Sequence, residues 1–261
     1  MLFIEPIRAF SDNYIWLLHD GSSKQACVVD PGEAAPVIEA LISRGLSLTA
    51  ILITHHHPDH VGGVPALVER YDATVYGPDS AHFKGVDNVL RDGDRVSVLG
   101  QRFDVLTVPG HTLDHIAYFH QTPEQPPVLF AGDTLFAGGC GRLFEGTAEQ
   151  MHRSLTRLAA LPDNTQLFCA HEYTLANLRF ALTVEPGNKA LQQRLRDAER
   201  LRANDLPTLP STIALEKATN PFLRSTEPQV VAAAGRYLEK DLGDAPAADI
   251  FAAVRSWKDT A

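Results

Sequence analysis

The chain has 261 residues, 44% of them hydrophobic and 21% charged, with a formal net charge of −9 at pH 7. That length and balance fit one large α/β domain, or a smaller one with an appendage, and exclude a disordered chain. The acidic excess argues against a nucleic-acid surface, where a basic stripe is expected, and no run approaches the roughly 18 apolar residues of a membrane span. Cys27, Cys140 and Cys169 are odd in number and lack Cys-x-x-Cys spacing, so neither a disulfide framework nor a thiolate zinc site is signalled. A reducing compartment follows as the simpler reading, and Glu5 and Arg8 interrupt what would have to be the apolar core of a signal segment. The chain reads as a cytoplasmic monomer.

Short apolar runs predict strands near Leu2–Ala9, Tyr14–His19, Ala26–Asp30, Ala50–Ile53, Thr74–Tyr76, Arg95–Leu99, Arg102–Val108, Ile116–His120 and Val128–Ala131. Between and after them, helical patterns fall at Ala34–Arg44, Val61–Arg70 and Ala148–Ala160, the last opened by Thr147 as N-cap. Gly100-Gln101 marks a hairpin. So many strands overfill an ordinary open sheet, and two packed sheets flanked by helices are expected. After His171 the pattern changes to helices at Thr174–Val184, Leu191–Asn204, Gln229–Lys240 and Ala247–Trp257, separated by proline-bearing linkers. Residues 1–172 are therefore expected to form a catalytic domain and 173–261 a helical unit too small to float free of it.

The chemistry concentrates in Thr54-His55-His56-His57-Pro58-Asp59-His60, which follows the apolar run Leu48–Ile53 and precedes a glycine pair. A strand ending there delivers these side chains onto the loop where α/β sheets bind ligands. In extended backbone His55 and His57 point the same way, while Asp59 and His60 follow on the turn and reach a neighbouring position. One short loop thus serves two metals. His111, Asp133 and His171, each at the end of an apolar run, supply the ligand types still missing. Imidazole and carboxylate suit zinc, iron or manganese, and a carboxylate bridges two ions where an imidazole does not, which marks Asp133 as the bridge.

With these residues in place, the His-x-His-x-Asp-His loop and its downstream His, Asp and His resemble the metallo-β-lactamase superfamily. Within it, Asp12-Asn13-Tyr14, Asp30-Pro31-Gly32, Gly138–Gly146, His171-Glu172-Tyr173-Thr174, Glu185–Asn188, Asn220–Arg224 and Arg255–Asp259 are similar to glyoxalase II, the hydroxyacylglutathione hydrolases. The resemblance covers nearly the whole chain and implies a four-layer αββα sandwich with a C-terminal helical domain. It implies one metal on His55, His57 and His111, a second on Asp59, His60 and His171, and Asp133 shared. It also implies a glutathione thioester such as S-lactoylglutathione as substrate, held by Arg142, Phe144, Tyr173, Arg255 and Lys258. Some relatives carry tyrosine where this chain has Phe144, which removes a hydroxyl contact.

Two divalent ions about 3.5–4 Å apart provide a bridging hydroxide at neutral pH, and a thiolate leaves without a strong acid. Asp59 is placed to orient that nucleophile or receive its proton. Arg255 and Lys258, three apart on a helix, project to one face. Other histidines have plainer readings: His56 alternates away from the ligand face, His115 serves a second layer of hydrogen bonds, and His19, His82, His120 and His152 lie on the surface. Cys140 reads as loop packing. The rivals are a mononuclear iron persulfide dioxygenase, which should lack the helical tail, a class B β-lactamase, which is exported and typically has cysteine where Asp133 stands, and a metal-binding or RNA-processing module.

Overall fold

The computed structural model describes residues 1–261 and divides by contacts into two compact units, Met1–Thr107 with Asp114–Gly132, and Val108–Leu113 with Asp133–Ala261. This division differs from the boundary expected after Glu172. The segments that carry His111 and Asp133 to His171 pack with the C-terminal helices, because their apolar side chains are buried there.

In the first unit a six-stranded sheet runs in the order β1 (Phe3–Ala9), β2 (Asn13–His19), β3 (Gln25–Val29), β4 (Ser47–Leu52), β5 (Thr74–Pro78) and β6 (Asn88–Leu90). The first three strands are antiparallel; β3 to β6 are parallel. Parallel neighbours require crossovers, and α1 (Ala34–Arg44) supplies the one between β3 and β4. Val37, Leu41, Val64 and Leu67 from the crossover helices close a core with Ile15, Leu17, Val28 and Ile51 of the sheet. Strands covered on both faces read as continuous apolar runs rather than alternations, and β2 and β3 do so.

The helix expected at Val61–Arg70 is two helices, α2 (Pro58–Val61) and α3 (Val64–Tyr71). The break falls at Gly62-Gly63, where the Gly63 N–H is donated to Pro31 O at 2.9 Å instead of continuing a helical ladder. The unit's remaining strands, β7 (Arg95–Val98), β8 (Gln101–Thr107), β9 (Ile116–His120) and β10 (Val128–Gly132), are antiparallel in sequence order. The β7–β8 turn is Leu99-Gly100, at φ 52° and 71°, the paired positive φ of a two-residue hairpin. Every residue of β9 is buried, which corrects the surface reading of His120: it is 4% exposed, with Nδ1 2.9 Å from Arg102 O. His82 is exposed, whereas His19 and His152 are half-buried.

The second unit opens with the short pair β11 (Leu135–Phe136) and β12 (Gly139–Cys140), then α4 (Ala148–Ala159) and β13 (Gln166–Cys169). Thr147 caps α4 in a full capping box with Gln150. Next come α5 (Thr174–Val184), α6 (Lys189–Ala203), β14 (Ser211–Thr212), α7 (Ile213–Thr219), a 3-10 turn at Pro221–Leu223, α8 (Pro228–Leu238) and α9 (Ala247–Thr260). β14 pairs antiparallel with β13. Phe222 joins the helices, its ring 5.8 Å from Phe251 and 6.2 Å from Phe180. Such aromatic clusters contribute beyond the area they bury. No helix is long and apolar enough to cross a membrane.

Candidate metal centre

The first unit gathers His55, His57, Asp59 and His60. β4 ends at Leu52, the chain bends at Thr54 and is extended at His57, and Pro58 starts α2, where its fixed φ and missing N–H suit the first helical position. This turn folds the loop back so that the His55 ring centroid lies 4.7 Å from His57 and 4.1 Å from His60. Asp59 Oδ2 lies 3.3 Å from His60 Nε2. Asn13 Nδ2 donates to the same Asp59 oxygen at 3.0 Å, which fixes the carboxylate's rotamer.

Asp30, which sequence reasoning noted only as part of a motif, organises this loop. Its carboxylate accepts from Thr54 N and from Thr54 Oγ1, both at 2.7 Å, and its Oδ2 faces His60 Nδ1 at 3.1 Å. Asp30, His55 and His60 form a buried cluster of metal-ligand type. With Asp30 on His60 Nδ1, however, the carboxylate orients that imidazole and leaves Nε2 to face Asp59. The next loop presses closely: a Cβ at Gly32 would stand 1.9 Å from Asp59 O, so no larger residue fits.

His56 is turned elsewhere, its Nδ1 2.9 Å from Asp114 Oδ2 and its ring 4.6 Å from His82. His115 is fully buried and stacks on His55 at 4.6 Å, where it fixes that ring's plane.

The second unit gathers His111, Asp133 and His171. One oxygen, Asp133 Oδ2, lies 3.4 Å from His111 Nε2 and 3.4 Å from His171 Nε2. The Arg142 carbonyl can only accept, so His111 Nδ1, 2.8 Å away, donates to it and Nε2 carries the lone pair. A carboxylate oxygen set beside an imidazole nitrogen that carries its lone pair, with a second imidazole at the same distance, is a donor set that fits divalent ions. The chain returns tightly here, with Gly141 N donating to Thr134 O at 3.2 Å. A Cβ at Gly141 would stand 2.0 Å from Asp133 O. His171 is held by Tyr173, stacked at 4.7 Å, and by the edge of Phe136 at 5.9 Å. Glu172, between them, accepts from Thr208 N at 2.9 Å and anchors the segment to the helical region.

The residues expected on the substrate side all lie in this unit, in two different situations. Phe144 is 63% and Tyr173 38% exposed, and the Phe144 ring meets His111 edge-on at 5.2 Å. Arg142 is exposed, with Nε 3.7 Å from Asp259. Arg255 is 4% exposed: Nη1 donates to Cys140 O at 3.0 Å, Nη2 to Asp259 at 2.9 Å, and the guanidinium lies over Phe222. Lys258 is half-buried over the Phe180 ring, 5.0 Å from its centroid. Burial, then the neighbouring Arg255 and Arg142 charges, hold its ammonium below the usual lysine pKa. Asp259, noted in the sequence only as the end of a motif, links Arg142 to Arg255.

All three thiols are buried and none is in a disulfide. Burial pushes Cys140 up to about 11 even beside Arg255, so it is no nucleophile at neutral pH.

Residues 10–171 match the metallo-β-lactamase superfamily model and residues 172–261 the model of the hydroxyacylglutathione hydrolase C-terminus. A hydroxyacylglutathione hydrolase of Chromohalobacter salexigens is 56% identical over 259 residues, 99% of each chain. Among solved structures, ETHE1 from Myxococcus xanthus superposes with a TM-score of 0.64 at 28% identity, over 100% of this chain and 99% of that one. TTHA1623 in a di-iron-bound form gives 0.58 at 26% identity, over 85% of this chain and 100% of that one. The chain therefore has the metallo-β-lactamase fold with a C-terminal helical region, and it belongs to the hydroxyacylglutathione hydrolase family.

Proposed function

We propose that this protein hydrolyses the thioester of S-(2-hydroxyacyl)glutathione, converting S-lactoylglutathione to D-lactate and glutathione in the second step of methylglyoxal detoxification. The observation that supports the reading is the single Asp133 oxygen set 3.4 Å from both His111 Nε2 and His171 Nε2, a spacing that would suit a carboxylate shared by two ions. The family model over residues 172–261 and the relative at 56% identity support the substrate.

His55, His57 and His111 would hold one ion and Asp59, His60 and His171 a second, with Asp133 shared; zinc suits this donor set, as do iron and manganese. Such ions supply a water of lowered pKa and polarisation of the acyl carbonyl. Asp59, whose carboxylate is held by Asn13, would orient a water bound there or receive its proton. The substrate carries two carboxylates, and Arg142 and Lys258 offer accessible cations within an acidic chain. Tyr173 and Phe144 provide exposed ring faces for the thioester's apolar portions. Arg255 acts from beneath, holding Cys140 and Asp259.

Residues 1–172 then act as catalytic domain and 173–261 as substrate-binding domain, a division supported by the two family models meeting at 171 and 172. A cytoplasmic setting is supported by three buried thiols outside any disulfide. The test is release of thiol from S-lactoylglutathione by the purified, metal-analysed protein. No release from a fully metal-loaded sample rejects the reading.

A further inference from the structure

The most deeply buried charged side chain outside the metal cluster is Glu216 on α7, which is 0% exposed and pairs with Arg194 of α6, itself 8% exposed. Arg194 also donates to Thr219 Oγ1 at 2.6 Å and to Ser211 Oγ at 2.9 Å, so its planar fork is spent within the helical region. Glu216 faces two ways. Its Oε1 takes Arg194 and Ser211, while Oε2 accepts from the backbone N–H of Gly138 at 2.8 Å.

Gly138 lies in the turn between β11 and β12. Asn220 grips the same hairpin, its Nδ2 2.9 Å from Gly139 O, 3.3 Å from Phe136 O and 3.1 Å from Glu216 Oε2. Asn177 Nδ2 adds a bond to Ala137 O at 3.2 Å. Asp133 stands two residues before β11. Arg142, whose carbonyl fixes His111 Nδ1, stands two residues after β12. The hairpin is too short to hold a conformation by its own ladder, so its ends are placed by whatever grips its turn.

We propose that Glu216, paired with Arg194 and assisted by Asn220, is the positioning device that sets Asp133 and the His111 acceptor at their spacing. A neutral acceptor would satisfy Gly138 alone. A carboxylate between a guanidinium, a hydroxyl, an amide and a backbone N–H is locked in one rotamer and makes stronger, charge-assisted bonds. The helical region thereby shapes the metal centre as well as the substrate side. The inference rests on the ligand roles given above to Asp133 and His111.

The experiment compares zinc-loaded full-length Glu216→Gln, Asn220→Ser and Leu191→Ala. Leu191, fully buried in the α5–α6 core, serves as a destabilised control whose side chain has no hydrogen bond to give the hairpin. Three readouts are taken: the rate of zinc transfer to a chromophoric chelator, Tm, and kcat and KM for S-lactoylglutathione. As for other groups that orient metal ligands, both test variants should release zinc about 10–100-fold faster. Their kcat should fall about tenfold, the smaller end of that range, with KM within about twofold. Leu191→Ala should lower Tm while zinc release and kcat stay near wild type. Zinc release in both test variants that matches Leu191→Ala at equal loss of Tm overturns the proposal. Should Glu216→Gln fail to fold, Asn220→Ser, which leaves the ion pair intact, decides by the same criterion. If the wild type releases no thiol, the substrate reading fails and zinc transfer still decides this one.

Discussion

Asp30 grips His60: its Oδ2 lies 3.1 Å from His60 Nδ1, and its two oxygens accept from the Thr54 N–H and hydroxyl, each at 2.7 Å. The backbone at Asp30 is left-handed, with φ 53°, a conformation that costs a non-glycine residue roughly 1–2 kcal/mol. Charge-assisted bonds of about 1.5–3 kcal/mol each offset that cost. The strained turn at the end of β3 aims a carboxylate at the far side of an imidazole whose near side faces Asp59.

Asp30→Asn should therefore fold yet weaken zinc binding about 10–100-fold, because an amide has one acceptor oxygen for three donors and leaves His60 free to choose its tautomer. Chelator competition measures this directly. Unchanged affinity in the folded variant would mean that packing alone orients His60.

Asp133→Asn should bring metal content well below two ions per chain and abolish turnover, since a neutral amide bridges cations poorly. His56→Ala should keep metal and most activity, because its ring engages Asp114 and His82. Elemental analysis alongside kcat distinguishes them. Equal loss in both folded variants would show that the loop's facing side is misassigned.

Most of the strands, the helices and the chemistry-bearing loop were legible because each announces itself locally: apolar runs, Thr147 before α4, imidazoles at alternate positions. What was not legible lacks such a signal. β11, β12 and β14 are two-residue strands, too short for a period, and α7 is a seven-residue helix whose buried face includes Glu216 and Thr219. His120 looked like a polar strand end, yet β9 is covered throughout. Arg255 and Lys258 share a helix, but three residues on a helix is about 300° of rotation, enough to sink one guanidinium against Cys140 while the other cation lies over Phe180. Asp30 was visible only as a motif; its grip on His60 spans 30 residues of chain.

Cysteine reactivity gives an independent check on the burial. Burial pushes Cys140 to about 11 and Cys169 to about 12, and Cys27 further up. Intact-mass analysis after iodoacetamide at neutral pH should find the native protein unmodified and the unfolded chain labelled at all three positions. Rapid native labelling at Cys140 would show that the Arg255 contact opens in solution.

Arg255 and Lys258 should separate stability from substrate recognition. Arg255 is buried and bonded to the Cys140 carbonyl and to Asp259. Arg255→Ala should orphan the buried Cys140 carbonyl while Asp259, 41% exposed, keeps water and Arg142, costing about 1–3 kcal/mol and lowering Tm by several degrees. Lys258 is half-buried with its ammonium near ring and carbonyl. Lys258→Ala should leave Tm nearly unchanged and lower kcat/KM for S-lactoylglutathione about ten- to a hundredfold through KM, the worth of one charge-assisted bond. The pH dependence follows from the sign of the shift. Burial first, then Arg255 and Arg142, hold the Lys258 pKa below 10.5. The folded protein thus favours neutral Lys258; the stability linked to this group is present above 10.5 and is lost as pH falls through the depressed value. Substrate binding needs the cation, so KM should rise as pH climbs through that depressed value. Lys258→Arg should remove this alkaline limb because a guanidinium stays charged. A KM independent of pH in wild type, or an Arg variant that retains the limb, would reject Lys258 as the carboxylate's partner.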